Sequence, residues 1–187
     1  YIIHTLGTSI FYVLYTIYSL GTLFFYADGN VDLLRLQTGT VEHLPHLANY
    51  QQQELVVQRL RVQDDDAFVT TNAGFLWIDV GQALVRGHFA VGQCLDVVQW
   101  GGQIFAAFGG KLRQINRRSN FNDLSLWTLA LDAHVSAIAP SGKTLFVALD
   151  PDQGVNAGLW SISAPSTSSL ETMAAQVNPS AGWVHFD

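Results

Sequence analysis

An all-β propeller of about four four-stranded blades is the fold the sequence predicts, and three observations predict it. Short apolar stretches recur with starting points at residues 21, 66, 102 and 142, spaced 45, 36 and 40 apart, the interval of a propeller blade. Each stretch opens on a Gly or Asp and runs through a second turn into a further strand, the pattern of an antiparallel hairpin. No segment shows a sustained 3.6-residue apolar period, so helix should be scarce.

The elements follow in order. From Tyr1 to Tyr26 there is no Asp, Glu, Lys or Arg, a length that would suffice for a membrane helix. The segment is nevertheless rich in Thr, Ser, Tyr and β-branched residues, with Gly7 and Gly21 as punctuation, which suits buried strands better. The first blade (10–45) places strands at 11–18, 21–26, 31–36 and 41–44, its central pair joined by Asp28-Gly29-Asn30. The second (54–88) has strands at 54–60, 66–71, 75–80 and 84–86, with the turn Asn72-Ala73-Gly74. The third (94–130) has strands at 94–98, 102–107, 111–116 and 126–129 around Gly109-Gly110. The fourth (134–173) has strands at 135–139, 142–148, 159–163 and 170–173, with a longer connection from Asp150 to Gly158. Residues 182–187 read as the first strand of a further blade that then stops. Since open strand edges are a liability that rings close off, the expectation is a partial propeller or part of a larger ring.

Composition sets the outer limits. Of 187 residues, 49% are hydrophobic and 13% charged, enough apolar surface to exclude disorder and too few charges for a coiled coil. A net charge of −6 speaks against nucleic acid as a partner. The single cysteine, Cys94, excludes an internal disulfide and any cysteine-based zinc cluster. With no leading signal pattern, it also favours an intracellular setting.

The run from Gly21 through Asp28-Gly29 to Thr38-Gly39 resembles the second and third strands of a WD40 blade, with that family's Asp-Gly hairpin and Thr-Gly turn. Residues 141–149 followed by Leu159-Trp160-Ser161-Ile162 resemble the same unit, with Trp160 at the family's tryptophan, and Gly87-His88 stands where the family often carries Gly-His. The chain has no Trp-Asp dipeptide. Hemopexin-like four-bladed propellers are the runner-up, although that family ties its ends with a disulfide that one cysteine cannot make. The WD40 resemblance implies a protein-interaction scaffold.

Several clusters invite a chemical reading and a structural one. Asp64-Asp65-Asp66 could supply oxygen ligands to Ca²⁺ or Mg²⁺, but successive side chains of an extended strand diverge, and a solvated turn is the simpler expectation. Asp150, Asp152, Gly154 and Asn156 resemble the start of a calcium loop and lack its later ligands. His43 and His46, with His4, His88, His134 and His185 scattered, do not make the three or four converging ligands that zinc needs. His88 and His134 are expected to hydrogen-bond within blades. Cys94 reads as buried packing, and Trp77, Trp100, Trp127, Trp160 and Trp183, about one per blade, as packing between blades. Lys111, Arg113, Arg117 and Arg118 are the one basic concentration, four of nine basic residues within eight positions. They form either a solvated blade edge or a contact for an acidic partner or a phosphate, which Arg grips bidentately.

No Gly-x-Ser-x-Gly elbow, phosphate-binding glycine loop or His-Glu-x-x-His occurs, signatures that would mark a hydrolase, a nucleotide enzyme or a zinc protease. The expectation is therefore a non-enzymatic scaffold that binds other protein subunits, with no catalytic residue, cofactor or metal. The alternatives are a propeller enzyme or ligand- or metal-binding module acting at the central channel, and a membrane-anchored protein with residues 1–26 as anchor.

Overall fold

The computed structural model describes residues 5–6, 9–10, 22–27, 30–35, 38–44, 55–150, 157–163 and 174–176. The described chain is strand throughout, apart from one 3-10 turn at Leu124–Leu126. Strands β1 (Thr5–Leu6) and β2 (Ser9–Ile10) pair as a hairpin. Strands β3 (Thr22–Ala27), β4 (Asn30–Arg35) and β5 (Thr40–His43) form a three-stranded antiparallel sheet. Three four-stranded sheets follow. The first holds β6 (Val57–Gln63), β7 (Asp66–Thr71), β8 (Gly74–Asp79) and β9 (Leu84–Phe89). The second holds β10 (Cys94–Trp100), β11 (Gln103–Phe108), β12 (Lys111–Asn116) and β13 (Thr128–Leu131). The third holds β14 (Val135–Ser141), β15 (Thr144–Leu149), β16 (Gly158–Ser163) and β17 (Ala174–Gln176). In each the strands lie side by side in chain order, every neighbour antiparallel. That is the meander of a propeller blade, repeated at the expected interval.

The chain divides into two compact units, Tyr1–Cys94 and Leu95–Asp187. In the first, β7 and β8 are buried along their whole length, which explains why Ala67–Val69 and Phe75–Ile78 run apolar instead of alternating. Leu44 and Leu55 join Val62, Ala67, Val69, Leu76, Ile78 and Val80 in one cluster. On the opposite face Phe68, Phe75 and Phe89 pack ring on ring, with centroids 6.3 and 5.3 Å apart. Burial of each such side chain contributes about 1.5–3 kcal/mol. In the second unit one core joins both sheets. Val98, Phe105 and Leu112 from one meet Val135, Ile138, Leu145, Val147 and Ile162 from the other. The hairpin ends are set by turn chemistry: Gly101 and Gly102 both have positive φ (58° and 77°), which a tight two-residue turn requires.

Several expected elements move. The fourth strand of the third sheet is Thr128–Leu131, not 126–129, because Asp123 caps a 3-10 turn over Leu124–Leu126 through its bond from Ser125 N. Gly87 and His88 lie inside β9, opposite Trp77 and Leu76, past a bulge at Trp77/Ile78. The last strand falls at Ala174–Gln176; 170–173 lie outside the described residues, as do 11–18, the Asp28-Gly29 turn, the Asp152–Asn156 part of the calcium-like loop and 182–187. Within 1–26, the described pieces are the strands β1, β2 and most of β3. Among the described residues no helix is long and apolar enough to cross a membrane.

Candidate functional site

Each central hairpin is closed by its turn at one end and open at the other. The open end is the same register position in each of the four: Thr22 opposite Arg35, Asp66 opposite Asp79, Gln103 opposite Asn116, Thr144 opposite Ser163. Just beyond it the backbone repeats as well. Val80 N donates to Asp65 O at 2.9 Å, and Arg117 N donates to Gly102 O at 3.1 Å.

In the second blade this corner is filled by an ionic cluster. Asp66, 2% exposed, accepts the indole N–H of Trp77 at 2.7 Å and lies 3.7 Å from Arg86 Nη1. Asp79 accepts from Arg86 Nε at 3.2 Å and from its Nη2, and from Gln82 N at 2.9 Å. The guanidinium also stacks over Trp77, 5.5 Å from the ring centroid, a favourable cation–π placement. The Arg86 hydrogen bond, aided by the Gln82 amide, holds the Asp79 carboxyl below its usual range. Thus the acidic run is not wholly a solvated turn. Asp64 and Asp65 are exposed, but Asp66 turns inward as a buried acceptor, because alternation on β7 aims it at Trp77 and Arg86.

In the third blade the same corner is open. It forms a polar concavity of about 340 Å³ lined by Gln99, Gly101, Gly102, Gln103, Asn116, Arg117 and Arg118. Asn116 Oδ1 accepts from Arg118 N at 2.9 Å, an Asx turn that fixes where the exposed Arg118 leaves the backbone. Arg117 beside it is half-buried.

The structure separates the four basic residues that the sequence places together. Lys111 lies at the turn end of β12, its Nζ 2.7 Å from Asp132 Oδ1, an exposed pair worth little. The Arg113 guanidinium covers Phe108, 5.4 Å from the ring centroid, and Phe108 in turn meets Trp127 edge-on at 5.4 Å. Arg117 and Arg118 lie past the far end of the same six-residue strand, roughly 20 Å from Lys111 along its axis.

The remaining candidates resolve individually. Cys94 is fully buried at the start of β10. His134 Nδ1 lies 3.3 Å from Asp150 Oδ2. His88 is half-buried, and loss of water pushes its pKa down against the opposing pull of the Ala73 backbone, which favours the protonated ring as a hydrogen-bond acceptor. Among the described residues no three His, Cys, Asp or Glu side chains converge as a metal site. His4, His46 and His185 lie outside the described residues, as does the His43 side chain. The tryptophans divide their work. Trp100 donates from β10 to Gly142 O, 2.9 Å away in the next sheet, whereas Trp77 and Trp127 pack within their own blades. Trp183 lies outside the described residues.

Sequence reasoning missed Asp96. It is fully buried on β10, and its Oδ2 accepts from Ile138 N of β14 at 2.7 Å, tying the first strands of two consecutive sheets. The signal was one carboxylate in the otherwise apolar run Cys94-Leu95-Asp96-Val97-Val98, where an unpaired charge would be prohibitive.

Serial antiparallel meanders with carboxylates, guanidiniums and amides gathered at the hairpin ends define a β-propeller protein. Within that class the chain belongs to the family of the N-terminal β-propeller domain of PorZ, a type IX secretion system protein, whose model matches residues 6–128. Among solved structures it is similar to PorZ of Porphyromonas gingivalis, at 21% identity and a TM-score of 0.65 over 83% of this chain. The chain spans only 21% of that protein. It is also similar to the extracellular domain of a putative hybrid two-component system of B. thetaiotaomicron (12% identity, TM-score 0.54, 86% of this chain and 21% of that one). A chain of the mitotic checkpoint complex matches at 13% identity and a TM-score of 0.58, over 82% of this chain and 47% of that one. At these identities the likeness is one of fold. No curated protein sequence matches the chain.

Proposed function

We propose that the chain is a non-enzymatic protein-interaction module with WD40-like blades, acting as a scaffold subunit of a larger assembly. The observation that carries this reading is the family membership over residues 6–128. PorZ of P. gingivalis is described as an essential bacterial surface component of the type IX secretion system, and by likeness this chain would serve a multi-subunit secretion machine. The geometry is compatible with that role. Blade sheets are rigid supports, and the connections between their strands can vary for binding without disturbing the core.

The test is native electrophoresis and cross-linking mass spectrometry on the full-length protein, tagged in its own cells. The expected result is migration in a defined large complex, with cross-links from the blade connections to the same few proteins in repeated preparations. Migration as a lone monomer without reproducible cross-links would overturn the reading.

A further inference from the structure

We infer that Arg113, with Leu129 across from it on the outer strand of the third blade, is a docking point for an acidic side chain on an otherwise apolar segment of a partner protein. The inference rests on the interaction-module reading and names the chemistry of one partner contact. Three observations support it.

The first is the contrast between two arginines stacked on aromatic rings. Arg86 lies 5.5 Å from the centroid of Trp77, and Arg113 lies 5.4 Å from that of Phe108. Arg86 is neutralised by Asp66 and Asp79 of its own blade. Among the described residues no carboxylate pairs with Arg113. The second blade therefore supplies the anion that such a stacked guanidinium attracts, and the third does not.

The second is the state of the guanidinium itself. Arg113 is half-buried, and its Nε is withdrawn from water with no hydrogen-bond partner among the described residues. Arginine stays charged at any ordinary pH, so this partial drying is a cost that the blade leaves uncompensated. A carboxylate brought to the terminal nitrogens would offset it through charge-assisted hydrogen bonds.

The third is the apolar surface that strand register sets beside the charge. Leu129 stands directly opposite Arg113 in the β12–β13 pairing, just past the bulge at Leu112/Arg113. Ala130 and Leu131 both pack with Leu112 on the core face. The bulge thus turns Leu129 to the opposite face, where cross-strand partners meet. Leu129 is 49% exposed. A half-dried cation beside an exposed leucine fits a segment that alternates acidic and apolar residues better than it fits an inorganic anion.

Fluorescence anisotropy with a labelled ten-residue peptide of alternating Glu and Leu tests the inference on the full-length protein. The expected result is saturable binding that weakens with added salt. Affinity should fall about tenfold in Arg113→Met and stay unchanged in Lys143→Gln, an exposed cation in a turn of the next blade. A peptide with Lys in place of Glu should not bind the unaltered protein, an arm that needs no substitution. Urea denaturation of the free protein separates docking from packing. Met takes the place of the arginine stem against Phe108, so the midpoint of Arg113→Met should hold or rise. The inference is overturned by absence of saturable binding, by equal affinity in Arg113→Met, or by an equal loss in Lys143→Gln. Binding of the Lys peptide, a lowered urea midpoint in Arg113→Met, or full displacement by inorganic phosphate at the peptide's own concentration would overturn it as well. None of these outcomes removes the protein from its assembly, so the interaction-module reading stands or falls separately on the cross-linking result.

Discussion

The second and third blades solve the same local problem in opposite ways. Both have a central hairpin whose open end brings two residues face to face, and both fix the following connection with the same backbone bond. The second blade places two aspartates there and consumes them internally: Asp66 on Trp77 and Arg86, Asp79 on Arg86 and Gln82. The third places two amides there and leaves its arginines at the rim of a hollow. The lesson is that one and the same register position can hold paired, buried charge in one blade and neutral amides beside a hollow in the next. Paired and partly dried ions resist removal of one partner, whereas charges at an exposed rim contribute little to stability.

The sharpest break in the comparison lies at the turn end of the hairpins. Gly74 opens β8, where the third blade has Lys111 opening β12. Its φ is +129°, and a Cβ there would stand 1.7 Å from the carbonyl oxygen of Phe89. Gly74→Ala should therefore cost more than about 3 kcal/mol, since the β9 backbone must move to admit it. Gly110→Ala, in the corresponding turn of the third blade, meets only His134 Cδ2 at 3.8 Å and should cost about 1 kcal/mol for its positive φ alone. Urea denaturation of both variants measures the difference, and equal losses would mean that the close approach at Gly74 relaxes freely.

Next in size is the corner itself. Asp66→Ala should destabilise by about 2–3 kcal/mol, because it strands a buried indole N–H and removes one of the two carboxylates facing Arg86. Gln103→Ala at the matching position, half-buried beside the hollow, should cost less than about 1 kcal/mol. A cost at Gln103 as large as that at Asp66 would erase the distinction between a filled corner and an open one.

Strand positions were legible in sequence, whereas the contrast between the two corners was not, for physical reasons. Strands 66–71 and 111–116 fall where expected because Asp and Gly turns bracket them tightly. The β13 boundary did not, since Leu126 and Trp127 read as the start of an apolar strand, whereas Asp123 caps Leu124–Leu126 into a 3-10 turn. The inward turn of Asp66 was hidden in a run of three carboxylates that reads as uniformly solvated. Its partner Arg86 is twenty residues away, and only the β7–β8–β9 register brings the two together. Likewise the four basic residues look contiguous, but strand geometry sends Lys111 to one end of β12 and Arg117 with Arg118 to the other.

Acid should loosen the second blade selectively. Arg86 holds the Asp79 pKa below its usual 3.8, so the unfolded carboxylate takes up its proton first as pH falls. The stabilisation is complete above about 3.8 and is lost as pH drops through the lower native value. Arg86→Gln should cost about 1–2 kcal/mol at neutral pH, discounted because the arginine is 39% exposed. It should also flatten the acid limb of the stability curve. Thermal melts of both proteins from pH 7 down to pH 2 would show the two curves converging below about 3.8; parallel curves would mean that the pair is already screened by water.

The smallest effect on stability should be the most informative about the open corner. Gln103→Asp/Asn116→Asp writes the second blade's carboxylates into the third blade's hollow, beside Arg117 and Arg118. Exposed pairs of this kind shift stability by no more than about 0.5–1 kcal/mol, so melting should hardly move. The outer strand β13, Thr128–Leu131, offers no counterpart of Arg86 on β9, so the new carboxylates would gain no partly buried partner from it. Urea denaturation measures the change: a loss above about 2 kcal/mol would mean that the amides themselves hold the corner together, and a gain of that size that the third blade accepts an internal ion pair as readily as the second does.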